Sequence, residues 1–183
     1  MTTPRLDTAL RLTGWISAGL ILLAPAIAMR FTPQVNWTVD DFIAAGLMLG
    51  VTGLAMEAVL RASPRWGYRI AGAIAAASGL MLVWASLAVG LVGAESEPVN
   101  LLYAAVIAVL VSGAFVARLK AGAMARTLIA AAATQGSVTA LALVADHAAG
   151  PGTLIEILGA NSVFIFAFLL SAGLFAHDAR RVT

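Results

Sequence analysis

The chain alternates between long apolar runs and short polar punctuation. Six runs emerge, at about 11–30, 41–60, 69–92, 99–117, 124–146 and 155–176, each bounded by charge, glycine or proline. Each has about the 20 residues an α-helix needs to cross a hydrocarbon core of about 30 Å. Lipid offers no partner for a free backbone N–H or C=O, so the runs must be helices. The connections are short, which makes consecutive helices antiparallel neighbours and leaves no room for a soluble domain. The pattern predicts an all-α polytopic membrane protein, one bundle of six transmembrane helices over residues 1–183.

Composition agrees. Of 183 residues, 61% are hydrophobic and 11% charged, with a mean hydropathy of +0.96; a soluble domain is about 45–50% apolar and about 25% charged. So little polar side chain cannot clothe a water-facing surface, which excludes a soluble enzyme, a disordered chain and a disulfide scaffold. The pI near 9.7 does not indicate a nucleic-acid partner, because the basic residues fall in short clusters between apolar runs. The absence of cysteine excludes disulfides, thiol catalysis and thiolate-ligated zinc or iron–sulfur clusters. Arg5 and Arg11 precede an apolar run that ends near the small-x-small sequence Ala26-Ile27-Ala28. That run is longer than the ~7–15 apolar residues of a cleaved leader, so it reads as a retained first span.

Charge sets the expected orientation. With the N-terminus in the cytoplasm, the cytoplasmic ends and loops hold Arg5, Arg11, Arg61, Arg65, Arg69, Arg118, Lys120, Arg126, Arg180 and Arg181, and of the eleven basic residues only Arg30 lies outside. This is the positive-inside asymmetry of a plasma-membrane protein. An even number of spans returns the C-terminus to the cytoplasm. The acids run the other way: Asp40, Asp41, Glu95, Glu97, Asp146 and Glu156 lie outside, against Asp7, Glu57 and Asp178 inside.

Small residues recur every four positions: Gly46 and Gly50; Ala71, Ala75 and Gly79; Ala104, Ala108 and Ser112; Ala132, Gly136 and Ala140. Such stripes let helix backbones approach closely, either within the bundle or between chains of an oligomer. Trp15, Trp37, Trp66 and Tyr68 fall at expected interfaces as aromatic anchors, whereas Trp84 is deeper and is expected to pack inside.

Several polar residues read as helix caps. Asp40 and Asp41 follow Thr38, Glu97 precedes Pro98, and Thr153 to Glu156 has the form of a capping box, all placing carboxylates at helix N-termini where the macrodipole favours them. Glu95, Asp146 and His147 have no such role. They follow helices, where a carboxylate is disfavoured. They are solvated loop residues or, if the two loops converge, ligands for a divalent cation or a proton relay. Glu57 lies within the second span and is a candidate proton- or cation-coupling site by default, with Arg61 one turn on as the alternative, an intrahelical ion pair. Gln135 near the middle of the fifth span, Asn161 inside the sixth and Asn100 at the start of the fourth read as interhelical hydrogen-bonding groups worth about 0.6 kcal/mol each. The functional alternative is a polar path from an acidic outer mouth toward Gln135. His147 and His177 lie on opposite sides and cannot clamp one haem; a single-His or Met-ligated haem stays open, so the cofactor is unknown.

Trp37 to Phe42 (WTVDDF), Gly53 to Glu57 with Arg61, and Val83 to Tyr103, together with Gly122 to Arg126 and Gln135, resemble a group of small, uncharacterised bacterial multi-pass integral membrane proteins. The resemblance covers about residues 37–137 and is most specific from the third span into the fourth. Members tend to have Asn within the stretch occupied here by Trp84 to Leu87, and Asp where Ser96 stands. The resemblance implies a bacterial plasma (inner) membrane and no activity, ligand or partner. Three functions stay open: a non-enzymatic subunit, scaffold or assembly partner of a membrane complex; a small transporter or channel for protons or cationic solutes along Glu57, Gln135 and Asn161; and a membrane enzyme acting on lipid or quinone at the outer face through Glu95, Asp146 and His147. The partners expected are the lipid bilayer and other membrane subunits or further copies of the chain.

Overall fold

The computed structural model describes residues 4–88, 91, 98–145 and 151–181. Among the described residues the regular structure is helical, with no strand: α1 Pro4–Ala28, α2 Val39–Ala62, α3 Trp66–Ala88, α4 Tyr103–Ala117, α5 Ala121–Ala145 and α6 Pro151–Arg180. All six are long and apolar enough to cross a membrane, α4 together with the turn before it. That turn, Pro98–Leu102, is 3₁₀. It lengthens α4 from about 22 Å to about 32 Å, enough to span the hydrocarbon. The multi-pass helical architecture read from the apolar runs is thus the observed one.

Helix starts follow capping chemistry. Thr38 caps α2 with a reciprocal box: its Oγ1 accepts from the Asp41 N–H at 3.3 Å, while Asp41 Oδ2 accepts from the Thr38 N–H at 2.7 Å. Thr153 and Glu156, expected as a capping box at the start of α6, lie inside that helix, which the described residues carry from Pro151; proline is at home in a first helical turn. The α1 helix likewise starts at Pro4, well before its apolar run.

The chain divides into two compact units, Met1–Arg65 and Trp66–Thr183. The first is an antiparallel hairpin of α1 and α2. Its contacts run in register: Arg11 meets Glu57, the Trp15 ring lies over Gly53, and Leu22 lies beside Gly46. A Cβ at Gly53 would come within 2.8 Å of the indole, so glycine here makes the seat for Trp15. The Trp15 expected as a lipid-interface anchor is therefore also an interhelical contact.

In the second unit each helix packs on the next, and α6 returns to α3. This closes a four-helix ring of up-down-up-down topology. Its core is built from Leu82, Val106, Leu128, Phe168 and Phe175, all fully buried. Tyr68 belongs to this core and is not an interfacial anchor. Its ring meets Phe175 edge-on at 5.0 Å and its hydroxyl donates to the Leu119 carbonyl at 2.5 Å. That carbonyl sits in the tight α4–α5 connection, where Arg118 and Leu119 both adopt left-handed backbone, φ 46° and 56°. Two successive non-glycine residues in that region are strained, and the tyrosine pins them from a distant helix. Tyr68→Phe keeps the ring contact and removes the pin; a loss of about 0.5–1.5 kcal/mol is expected in thermal unfolding. Trp84 reverses the other way: it is 49% exposed, on the outer face of α3.

Candidate functional site

Among the described residues, the candidate site residues within the spans fall in two polar groupings, one in each unit. In the hairpin, Glu57 Oε2 receives Arg61 from its own helix, with Nη2 at 3.0 Å and Nε at 3.1 Å, and Arg11 from α1, with Nε at 3.7 Å. The i to i+4 spacing brings Arg61 onto the Glu57 face of α2, and the antiparallel register brings Arg11 opposite. Glu57 is mostly covered, with a side-chain exposure of 16%, whereas Arg61 is 70% exposed and reaches outward as long basic side chains do at membrane edges. The candidate coupling residue is thus the acceptor in a clamp between α1 and α2. Removing the carboxylate strands the inward-facing Arg11, while removing Arg61 loses a mostly solvated partner. Glu57→Leu is therefore expected to lower the melting temperature of the purified protein clearly more than Arg61→Leu does; equal shifts would show that Arg11 adds nothing.

In the four-helix unit, Gln135 of α5 and Asn161 of α6 are brought together. Gln135 Nε2 donates to Asn161 Oδ1 at 2.8 Å, and Asn161 Nδ2 donates to the Ile157 carbonyl one turn back at 2.8 Å. Thr139 Oγ1 donates to the Gln135 carbonyl at 2.8 Å. The Tyr103 hydroxyl from α4 lies beside Thr139 and Asn161. Gln135 is 0% exposed, Tyr103 and Asn161 1% each. Gln135 is about 15 Å from the C-terminal end of α5, near the middle of a bilayer. Four uncharged side chains from three helices thus form a closed polar centre within an apolar bundle. It was legible in part: both amides are conspicuous within apolar runs, but Tyr103, inside the fourth apolar run, carried no signal that set it apart.

Asn100 Oδ1 accepts from the Leu91 N–H at 2.9 Å, tying the α3–α4 connection to the 3₁₀ turn. Glu95, Asp146 and His147, the residues expected at a metal or proton-relay site, lie outside the described residues, as does Glu97. Among the described residues no group of three or more His, Cys, Asp or Glu side chains is placed to hold a metal ion.

The other end of the four-helix unit carries charge that sequence reading placed at the cytoplasmic ends and loops. Arg69 and Asp178 are both buried, each with interactions inside the protein. Asp178 Oδ1 lies 3.7 Å from where a Cβ on Gly67 would stand. The available signal was position: a carboxylate in the last turn of a helix opposes the macrodipole and needs a compensating neighbour. At this end the start of α3, the end of α4, the start of α5 and the end of α6 converge, as the contacts of Tyr68 with Leu119 and Gly122 with Ala179 record. Arg69, Arg118, Lys120, Arg126, Arg180 and Arg181 are therefore all near one end of the unit.

The small-residue stripes divide into used and unused ones. Gly79 faces Leu110, Gly136 faces Ile165, and Ala71 accepts the Ser171 hydroxyl on its carbonyl at 2.7 Å. By contrast Ala104, Ala108 and Ser112 of α4 all stand exposed, and a Cβ on Gly50 would meet nothing within 4 Å. No family model, curated protein or solved structure matches this chain.

Proposed function

We propose that this chain is a non-enzymatic component of a membrane assembly, a subunit or assembly partner that docks a transmembrane helix of another chain. The observation that carries this reading is the exposed stripe Ala104, Ala108 and Ser112 on α4. Packing between membrane helices depends on close van der Waals approach across small residues, and α4 uses a different face, that of Gly113, against α5. Its second small face is therefore free to receive a helix. Glu57, as the centre of an interhelical clamp, serves assembly of the hairpin in this reading. Extraction in mild detergent followed by native mass spectrometry tests it. A co-purifying membrane chain, lost on Ala108→Leu, is expected. A solitary protein would refute the proposal, and a second copy alone would reassign the stripe to self-association.

One observation favours a second reading, a small transporter: the Gln135–Asn161 polar centre at mid-span, since secondary transporters place binding sites near the bilayer midplane. Proton and cation flux into liposomes separates the two. Flux no faster than in empty liposomes removes the transport reading, and flux abolished by Glu57→Gln would displace the first.

The location that goes with both readings is a bacterial plasma membrane with both termini in the cytoplasm. It rests on the asymmetry of the arginines and on the resemblance of residues 37–137. An impermeant reagent in intact cells should leave a C-terminal tag unlabelled; ready labelling inverts the topology.

A further inference from the structure

The polar centre of the four-helix unit contains two polar atoms that its own packing leaves unmet, and both lie beside the same carboxamide. The orientation of the amides follows from the ends of the chain of bonds. The Ile157 carbonyl can only accept, so the Asn161 atom at 2.8 Å from it is the nitrogen. Asn161 then turns its oxygen to Gln135, which must answer with Nε2; the flipped amide would set oxygen against oxygen. Gln135 Oε1 is left over as a buried acceptor without a partner among the described residues. The Tyr103 hydroxyl, beside the same Asn161, is also buried and without a partner among the described residues. Thr139 and Asn161 flank it, but neither meets it in hydrogen-bonding geometry.

One free donor and one free acceptor in the middle of a membrane bundle define what would satisfy them. Acyl chains have neither kind of group. A charged guest is disfavoured, because Tyr103, Gln135, Thr139 and Asn161 are all neutral and a buried charge needs a compensating one. The near-zero exposure of Tyr103, Gln135 and Asn161 restricts the guest to something small and makes its exchange slow. Polar interior sites of this kind are the ones that hold ordered water.

We infer that the centre of the four-helix unit is a binding site for one small uncharged guest that accepts from Tyr103 Oη and donates to Gln135 Oε1. Water has this chemistry, and so does the hydroxyl of a small alcohol. The site is distinct from the exposed α4 stripe and does not depend on what that stripe docks.

Solution NMR on the full chain in lipid nanodiscs, with ¹⁵N in the Asn and Gln side chains, tests this. Through-space transfer to the Gln135 and Asn161 amide protons is read first in alcohol-free buffer. A water cross-peak of the sign given by long-lived contacts is expected, and Tyr103→Phe should remove it. If the guest is a hydroxyl solute, that peak is missing and transfer arises from the carbon-bound protons of added glycerol. Neither peak means a dry centre, with the tyrosine hydroxyl turned to Thr139 Oγ1, and overturns the inference. Gln135→Met, read at Asn161, is the second variant should Tyr103→Phe fold poorly. A water peak at Asn161 that survives both substitutions also overturns it. The wild-type spectrum alone decides if neither variant folds.

Discussion

Gly113→Leu should separate α4 from α5 and lower the stability of the protein by about 1–3 kcal/mol, the usual penalty for forcing volume into a packed contact. The warrant is local. Even a single methyl on Gly113 would run into the Thr127 side chain, touching its methyl, its hydroxyl and its β-carbon together. Thr127 is β-branched and sits on α5, where its side chain has few rotamers to retreat into. The helices themselves would have to part. Leucine adds further bulk in the same direction, whereas leucine at Ala108, on the exposed face of the same helix, should leave the stability of the isolated chain within ~0.5 kcal/mol. Thr127→Ala removes the obstructing methyl and hydroxyl and should restore much of what Gly113→Ala loses. Unfolding monitored by helical circular dichroism in mixed micelles measures all four variants. If Gly113→Leu and Ala108→Leu behave alike, α4 does not approach α5 through Gly113.

That contrast also marks what could be read without coordinates. Six spans, the Thr38 cap and the amides in the fifth and sixth spans were legible, because apolar run length, cap chemistry and a lone amide among hydrophobic residues are local signals. Which small stripe packs against a neighbour was not. Ala104, Ala108 and Ser112 have the same spacing as Ala71, Ala75 and Gly79, and only the rotation of each helix about its axis separates an outward stripe from an inward one. Tyr68 and Trp84 exchanged places for the same reason: both are amphipathic aromatics, and burial depends on which way the helix is turned. The hydrophobic run also misjudged helix ends. The α6 helix already includes Pro151, before the apolar residues begin, and Asp178 stays helical and buried after they have thinned out. Backbone hydrogen bonding sets a helix end, and an apolar run marks only the part that must face lipid or core. The pairing of Gln135 with Asn161 across two helices, and the arrival of Tyr103 from a third, are tertiary facts that no spacing encodes.

Replacing Asn161 alone by leucine should destabilise the protein by about 1–3 kcal/mol, and replacing Gln135 and Asn161 together should be less harmful than the sum of the single changes. The asymmetry comes from what each substitution leaves behind. Asn161→Leu deprives Gln135 Nε2 of its acceptor, and among the described residues Gln135 Oε1 has no donor either, so no described protein group meets the buried carboxamide. Removing one partner of a buried hydrogen bond costs the desolvation of the other, whereas apolar replacement of both at similar volume can be nearly neutral. In the double variant the Ile157 carbonyl keeps its helical hydrogen bond and Thr139 still donates to the Gln135 backbone carbonyl, so only the Tyr103 hydroxyl is left facing leucine. A double-mutant cycle isolates the term. Membrane hydrogen bonds measured this way average about 0.6 kcal/mol because the separated helices also find partners, so a coupling near that figure would make the amide pair an ordinary interhelical tie. A coupling above about 1.5 kcal/mol is expected if the centre acts as one network, since the four side chains come from three helices and lose their common geometry together. A coupling indistinguishable from zero would mean that Gln135 and Asn161 do not meet in the membrane, and the polar centre would then not form.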